Sequence, residues 1–489
     1  MHRYHHPELL PRSKSKRPYV SIQLPIYNER YVVRRLVETC VRMVDQYGKQ
    51  HAEILILDDS TDDTSRQVDD IVSGLQQKDY HIHVQRRANR EGYKAGALQV
   101  ALDHTRAEFV AIFDADYTPA PDFLLRTIPF FSQDEKLAII QSRWTHLNRD
   151  YNLVTSAIAI GIDVHFLIEQ TARYATSCLQ NFNGSGGVLR KSALVEAGGW
   201  QADTLAEDLD ASYRMQLKGY KILYLKDLPS PGEVPPTVPS FKKQQARWAN
   251  GSLRTARKLL PTILSNHQLK LYQRVEAYIH LTGYVLHPMM YISFLLAALG
   301  TILGLDTYLN HTQILTPFGG ILLASPTKSD VLLHNLSWGA LDTMILLSLV
   351  AAWVSPIVSL RLQKLSIRKN LSGLMYLFLL GSGISISNTI EALKALFTNK
   401  QWEFKRTPKY ATVNNDEALR YHTYQVPLDG VFLLEVISVL LGLAAVSLAL
   451  AHHLFFILLI LAPYTVAYIF IAYLTFTQSR PQVQATDGD

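Results

Sequence analysis

Two acidic clusters follow short apolar runs, Asp58-Asp59-Ser60-Thr61-Asp62-Asp63 and Asp114-Ala115-Asp116. An acidic pair separated by one residue can place one carboxylate on a divalent cation and the other on a sugar. Mg²⁺ prefers oxygen ligands and keeps phosphate oxygens as partners, so a metal-bound diphosphate suits such a pair. Asp-x-Asp alone is weak, because an aspartate there can simply cap a helix. Two acidic strand ends in one sheet say much more. Arg87, Asn89 and Arg90 precede Gly92-Tyr93-Lys94-Ala95-Gly96-Ala97. There the glycines permit close backbone approach and Lys94 supplies a point charge for phosphate. Phe182-Asn183-Gly184-Ser185-Gly186-Gly187 is a second glycine-rich loop. Asp208 opens a helical pattern, where it is either a helix N-terminal charge or a general base for an acceptor hydroxyl. Gln244, Arg247 and Trp248 fall within about one helical turn. Arginine can hold a diphosphate bidentately, and an indole offers a flat apolar face to a sugar.

The elements that must position these groups alternate. Tyr19 to Leu24, Glu53 to Leu57, His81 to Val84, Phe109 to Phe113 and Leu137 to Ile140 read as strands. Helical spacing lies between them, as in Val32 to Val44. This order predicts an α/β domain, a mostly parallel sheet covered on both faces. Ligands bind such sheets at the carboxyl ends of the strands, which is where the acidic clusters fall. The dinucleotide fingerprint G-x-G-x-x-G is absent after the first strand, where Pro25-Ile26-Tyr27-Asn28-Glu29 stands instead, so NAD chemistry is disfavoured.

Charge divides the chain. Lys and Arg number 48 and Asp and Glu 42, yet only 23 of these fall from Tyr278 to Asp489. The first part is soluble in character and the second is too poor in charge to be. Tyr278 to Gly304, Leu336 to Leu360 and two crossings within Val431 to Phe476, divided at His452-His453, are long enough to span a bilayer. Leu371 to Ile390 is interrupted by Gly381-Ser382-Gly383. The basic loops Arg361 to Lys369 and Thr398 to Asp429 both point to the cytoplasm, so the segment between them is expected to be interfacial or re-entrant. Phe241 to Leu260, with Lys242, Lys243, Arg247, Arg254, Arg257 and Lys258, reads as a helix on an anionic membrane surface. Cys40 and Cys178 form no ligand spacing, which favours a reducing compartment. The polar, basic start predicts no signal peptide. The charge of +6 comes without a basic block or zinc spacing, so nucleic acid is not expected. The expected divisions are a tail (1–17), a catalytic domain (18–240), interfacial helices (241–277), two spans with interfacial or re-entrant helices (278–397), a cytosolic loop (398–429), two further spans (430–477) and a polar tail (478–489).

In this order the motifs resemble those of membrane-embedded, processive, inverting family-2 glycosyltransferases, above all cellulose-synthase-like mannan and glucan synthases and their bacterial relatives. The matching residues are Gln23-x-Pro25-x-Tyr27-Asn28-Glu29, Asp58 to Asp62, Gly92 to Leu98, Phe113 to Asp116, Phe182-Asn183-Gly184, Gly198-Gly199-Trp200, Glu207-Asp208 and Gln244-x-x-Arg247-Trp248. Ala206 stands where the family usually has threonine before Glu-Asp. The resemblance implies a GT-A catalytic domain followed by a transmembrane helical region, with hexosyl transfer from UDP-glucose or GDP-mannose and Mg²⁺ or Mn²⁺ as cofactor. It further implies Asp208 as general base, with Asp59, Lys94, Asp114, Gln244 and Arg247 at the donor and Asp116 on the cation. Trp248, Gly199 and Trp200 would meet the acceptor. Phe404-x-x-Thr407-x-Lys409 is similar to the loop that covers the donor in cellulose synthases, which adds Thr407 and Lys409 to the donor set. The acceptor is expected to be a growing β-linked glycan, the alternatives being a lipid acceptor taking one hexose and, more distantly, a non-catalytic transporter or scaffold. An integral membrane protein with a cytoplasmic catalytic domain, open to an oligomer or accessory subunit, is the expected setting.

Overall fold

The computed structural model describes residues 17–305, 351–398, 409, 411 and 426–479. It divides into two compact units. The first takes Met1–Pro236, Lys243–Tyr284 and Glu391–Gln425, and the second takes Thr237–Lys242, Val285–Ile390 and Val426–Asp489.

The first unit is built on a seven-stranded sheet of order β3-β2-β1-β4-β6-β5-β7. Its strands are β1 Val20–Ile26, β2 Ala52–Asp58, β3 Ile82–Gln85, β4 Phe109–Ile112, β5 Leu137–His146, β6 Gly187–Arg190 and β7 Lys221–Gly232. All five expected strands form, and β1 to β4 pair in parallel. Strands β6 and β7 are additional. The four-residue β6 runs antiparallel to β4 and β5 and follows directly on the glycine loop. Strand β7 contains Pro229 and Pro231, which read as breakers. It is tolerated because it lies at the sheet edge, where a missing N–H costs no ladder bond.

Helices cover both faces. Val33–Tyr47 buries Val33, Leu36, Val37, Cys40, Met43 and Val44, a stripe spaced by three and four, in one core with β1 and β2. Tyr93–His104 contributes Leu98, Ala101 and Leu102 to the second core, with Val110 and Ile112 of β4. The order of strands reverses between β1 and β4. That reversal opens the crevice in which open α/β sheets bind ligands.

Leu153–Ala175 is long and apolar enough to cross a membrane, yet more than half of it is buried within the protein. It is a core helix of the first unit, π-helical from His165 to Gln170, and Tyr224 Oη donates to the Phe166 carbonyl.

Val238–Ser265, over the stretch expected at a membrane surface, is one 28-residue helix. Its basic residues have partners inside the protein. Lys242 pairs with Glu435 and donates to Thr475 Oγ1 at 3.4 Å. Arg257 donates to the Ala395 carbonyl at 2.7 Å, and Arg254 approaches that of Thr398 at 3.5 Å. Lys258 bridges Asp203 and Asp210, both at 2.8 Å. Its apolar face, Ala256, Leu259 and Ile263, packs with Leu209, Tyr213, Ala277 and Leu281. The apolar run from Tyr278 therefore starts inside the first unit, where Leu281 is fully buried.

In the second unit, Leu286–Ile302, Gly430–Ala451 and Phe455–Ser479 are apolar helices whose shared core includes Phe294, Ala298, Ala445, Ala449, Leu461 and Tyr468. Leu371–Gly383 and Ser385–Phe397 meet at 42°. The bend sits at the end of the glycine pair: a Cβ on Gly383 would collide with Ile471 and the Ala467 carbonyl. Of the expected span Leu336 to Leu360, the part before residue 351 lies outside the described residues, and Ala351–Leu362 is helical. Thr407 also lies outside them.

Candidate active site

One cavity of the first unit, at the carboxyl ends of β1, β2 and β4, brings together nine of the sequence-derived site residues: Asp59, Lys94, Asp114, Asp116, Asp208, Gln244, Arg247, Trp248 and Lys409. They arrive from six separate stretches of chain. Asp59 follows β2 and is held on both carboxylate oxygens by Arg87, at 3.1 and 2.5 Å. Beside it the Arg90 guanidinium lies 3.3 Å from the centre of the Tyr27 ring. A cationic plane on an aromatic face is a fit wall for a nucleobase.

The acidic pair after β4 is already neutralised by two lysines. Lys94 Nζ donates to Asp114 Oδ1 at 2.7 Å and to the Gly184 carbonyl at 2.9 Å, with Glu207 3.7 Å away. Burial opposes its charge, but Asp114 and Glu207 outweigh burial and raise the Lys94 pKa. Lys94, expected at the donor phosphates, is thus hydrogen bonded to Asp114 in this structure. Lys409 Nζ donates to Asp116 Oδ2 at 2.8 Å, and Asp116 with its neighbours likewise raises the lysine's pKa against burial.

Asp116 is 1% exposed. Its Oδ2 also accepts the Glu233 N–H at 3.0 Å, whereas its Oδ1 is buried without a hydrogen-bond partner. A buried, unsatisfied carboxylate oxygen is costly, and a cation is its natural complement. Among the described residues no group of three or more His, Cys, Asp or Glu forms a cage. The open Oδ1 of Asp116 is itself the kind of carboxylate partner that Mg²⁺ takes alongside substrate phosphates.

Asp208 stands in the first turn of Glu207–Leu217. Burial chiefly, and then Glu207, push its pKa up to about 7, against the pull of Lys94, its own hydrogen bond from Leu209 N and Arg247. A carboxylate of that basicity is matched to proton abstraction near neutral pH. Gly184 makes room for it: at φ +80°, a Cβ there would sit 2.5 Å from Asp208 Oδ2. Gln244 lines the cavity, and its Oε1 is buried without a hydrogen-bond partner.

Gly199 and Trp200, expected at the acceptor, do not line the cavity. Trp200 is 5% exposed and belongs to the second sheet core with Ala97 and Leu98. Its backbone N–H donates to Gln99 Oε1 at 2.7 Å, while Arg214 donates to the Gly199 carbonyl at 2.8 Å. The Gly-Gly-Trp turn ends a helix and fixes its neighbours. Conversely, Glu29, Tyr117, Trp144, His146, Asn183, Glu207 and Glu233 line the cavity without having been singled out as site residues. Glu29, Asn183 and Glu207 were visible inside their motifs. Trp144, His146 and Glu233 come from the ends of β5 and β7, and no local signal marks them.

Residues 109–380 match the family model described as Glycosyl transferase family group 2, and residues 21–187 match Glycosyl transferase family 2. The chain is 38% identical over 262 residues to glucomannan 4-beta-mannosyltransferase 2 of Arabidopsis thaliana, covering 53% of this chain and 49% of that one. It is 38% identical over 263 residues to glucomannan 4-beta-mannosyltransferase 1 of Oryza sativa subsp. japonica, covering 53% and 50%. The chain thus spans about half the length of the curated relatives it matches. Among solved structures, mannosyltransferase PcManGT from Pyrobaculum calidifontis, in complex with GDP-Man and Mn²⁺, aligns with a TM-score of 0.42 at 21% identity, over 56% of this chain and 71% of that one.

Proposed function

The chain belongs to glycosyl transferase family group 2, and on that premise we propose that it is a membrane-bound, inverting hexosyltransferase that extends a β-linked polysaccharide. A mannosyl donor, GDP-mannose, is favoured over UDP-glucose, since the similar plant proteins are named for mannosyl transfer into glucomannan. The observation that carries the reading is the meeting, in one cavity, of Asp208 with the Asp114–Asp116 pair and with Gln244, Arg247 and Trp248.

The residues divide the work. Asp59, Arg90 and Tyr27 receive the nucleoside. Lys94 orients Asp114 toward the donor. A Mg²⁺ or Mn²⁺ ion, held by Asp116 and the donor's phosphates, would neutralise the leaving diphosphate. Arg247 adds a fork of donors for the same charge as it develops, with Lys409 nearby. Trp248 and Gln244 orient the terminal sugar of the acceptor. Asp208 takes the hydroxyl proton as that oxygen attacks the anomeric carbon. The bond to the diphosphate breaks on the opposite face, so the configuration inverts. The bilayer is the setting for the apolar helices of the second unit. Arg361, Lys364, Arg368 and Lys369, all exposed, favour a cytoplasmic face for their loop and, with it, a cytoplasmic catalytic unit.

The test is incubation of the full chain in membranes with labelled GDP-mannose and UDP-glucose side by side, followed by sizing of the product. A long polymer cut by β-mannanase is expected. A product that stays at one sugar per lipid would overturn the polymerase reading in favour of a glycolipid synthase.

A further inference from the structure

Asp116 is the carboxylate the proposed reaction needs on its cation, and its Oδ2 is held both by Lys409 Nζ, at 2.8 Å, and by the backbone at the end of β7. Strand β7 ends at Gly232, so that the next backbone N–H, that of Glu233, donates to Asp116 Oδ2 at 3.0 Å. The Glu233 side chain, 3% exposed, turns to Arg35, whose Nη2 lies 2.6 Å from Glu233 Oε1. The same Nη2 reaches the backbone carbonyl of Asp116 at 3.5 Å. Arg35 stands on the helix Val33–Tyr47 and is not a cavity wall. One guanidinium therefore ties the end of β7 to the residue that follows β4. With Oδ2 occupied, only Oδ1 of Asp116, buried and without a hydrogen-bond partner, remains for a ligand.

We propose that Arg35 and Glu233 are a positioning pair that fixes Asp116 so that its Oδ1 alone meets the divalent cation. The inference rests on the metal-dependent reading of the site given above. A carboxylate that must turn to find its metal binds it less well than one already aimed. Outer partners of metal ligands commonly account for about 10–100-fold in metal affinity. Loss of the pair frees the Glu233 backbone to shift and lets Asp116 rotate. Because both residues act through one contact, their effects cannot add.

The experiment is a Mn²⁺ titration followed by electron paramagnetic resonance, on the full chain in nanodiscs, with GDP or UDP present, whichever binds. Arg35→Met and Glu233→Gln are each expected to weaken Mn²⁺ binding by about 10–100-fold. The double variant should be no weaker than the worse single one, and Arg35→Lys should recover much of the loss. Turnover at saturating Mn²⁺ should change far less than the Mn²⁺ half-saturation, and in Glu233→Gln, which leaves only the more exposed Arg35 side chain without its partner, the melting temperature without metal should hold. Wild-type Mn²⁺ affinity in both Arg35→Met and Glu233→Gln would overturn the pairing. So would a loss that Mn²⁺ does not remedy and that tracks a lowered melting temperature, which is the mark of a merely structural contact. If the wild-type chain binds no Mn²⁺ and transfers no sugar, the proposed function fails first, and the two failures are told apart by the wild-type control.

Discussion

At the scale of single residues, Asp208 carries the sharpest consequences. Asparagine there keeps the shape and removes the base, so Asp208→Asn should lower turnover by about 10²–10⁴-fold while nucleotide binding persists. Unchanged turnover would remove the base assignment. Since its pKa is pushed up to about 7 by burial and Glu207, kcat/KM should rise with pH and level off above about 7. The same shift bears on stability. Between the ordinary aspartate value near 4 and about 7, the folded chain holds this proton more tightly than the unfolded one. The carboxylate therefore costs stability as pH rises through that window. Asp208→Asn should raise the melting temperature relative to wild type at pH 8 and give no such gain at pH 4, as calorimetry at the two pH values can check. Asp208 was legible in the sequence because it stands in a motif at a helix start. The contacts of Lys94 with Asp114 and Gly184 were not, because these lie 20 and 90 residues away.

Secondary-structure elements set how close these groups come. The loop before β6 brings Gly184 against Asp208, and φ +80° there favours glycine. Gly219, at φ +86°, has open space around its Cβ position, so the pair of alanine variants separates backbone strain from crowding. Both should lose about 1–2 kcal/mol of stability from the left-handed backbone. Only Gly184→Ala should also lose turnover, by displacing the base. Equal turnover in the two variants would deny the loop its part in the site. At this scale the sequence showed β1 to β5, whose apolar runs are local and bounded. It did not show β6 or β7, since a four-residue strand and one interrupted by prolines carry no periodic signal. Trp200 belongs to the same lesson. Its motif was visible, but whether an indole faces a cavity or a core depends on Tyr93–His104 packing over it.

In the molecule as a whole, the division between the two units falls within the chain of a helix. Val238–Ser265 begins in the second unit and continues into the first, where it carries Gln244, Arg247 and Trp248. Its Lys242 is buried against Glu435 within the second unit. Breaking a buried pair from one side strands a charge, so Lys242→Met should cost about 3–5 kcal/mol, whereas Lys242→Met with Glu435→Leu should recover most of it. Thermal unfolding of the two variants and the wild type in detergent checks this, and a single variant as stable as the double would refute the pairing.

The sequence by itself determined the chemistry on offer and the class of fold. Acidic pairs at strand ends, alternating strands and helices, and a charge-poor second part are local patterns, and each can be read from neighbouring residues. Tertiary structure decided who meets whom. It set Lys409 on Asp116 across 293 positions and Arg35 on Glu233 across 198. It also turned the basic residues of Val238–Ser265 toward buried acids and carbonyls. The physical reason is that a charge chooses its partner by distance and burial, and neither is a property of the residues beside it in the chain.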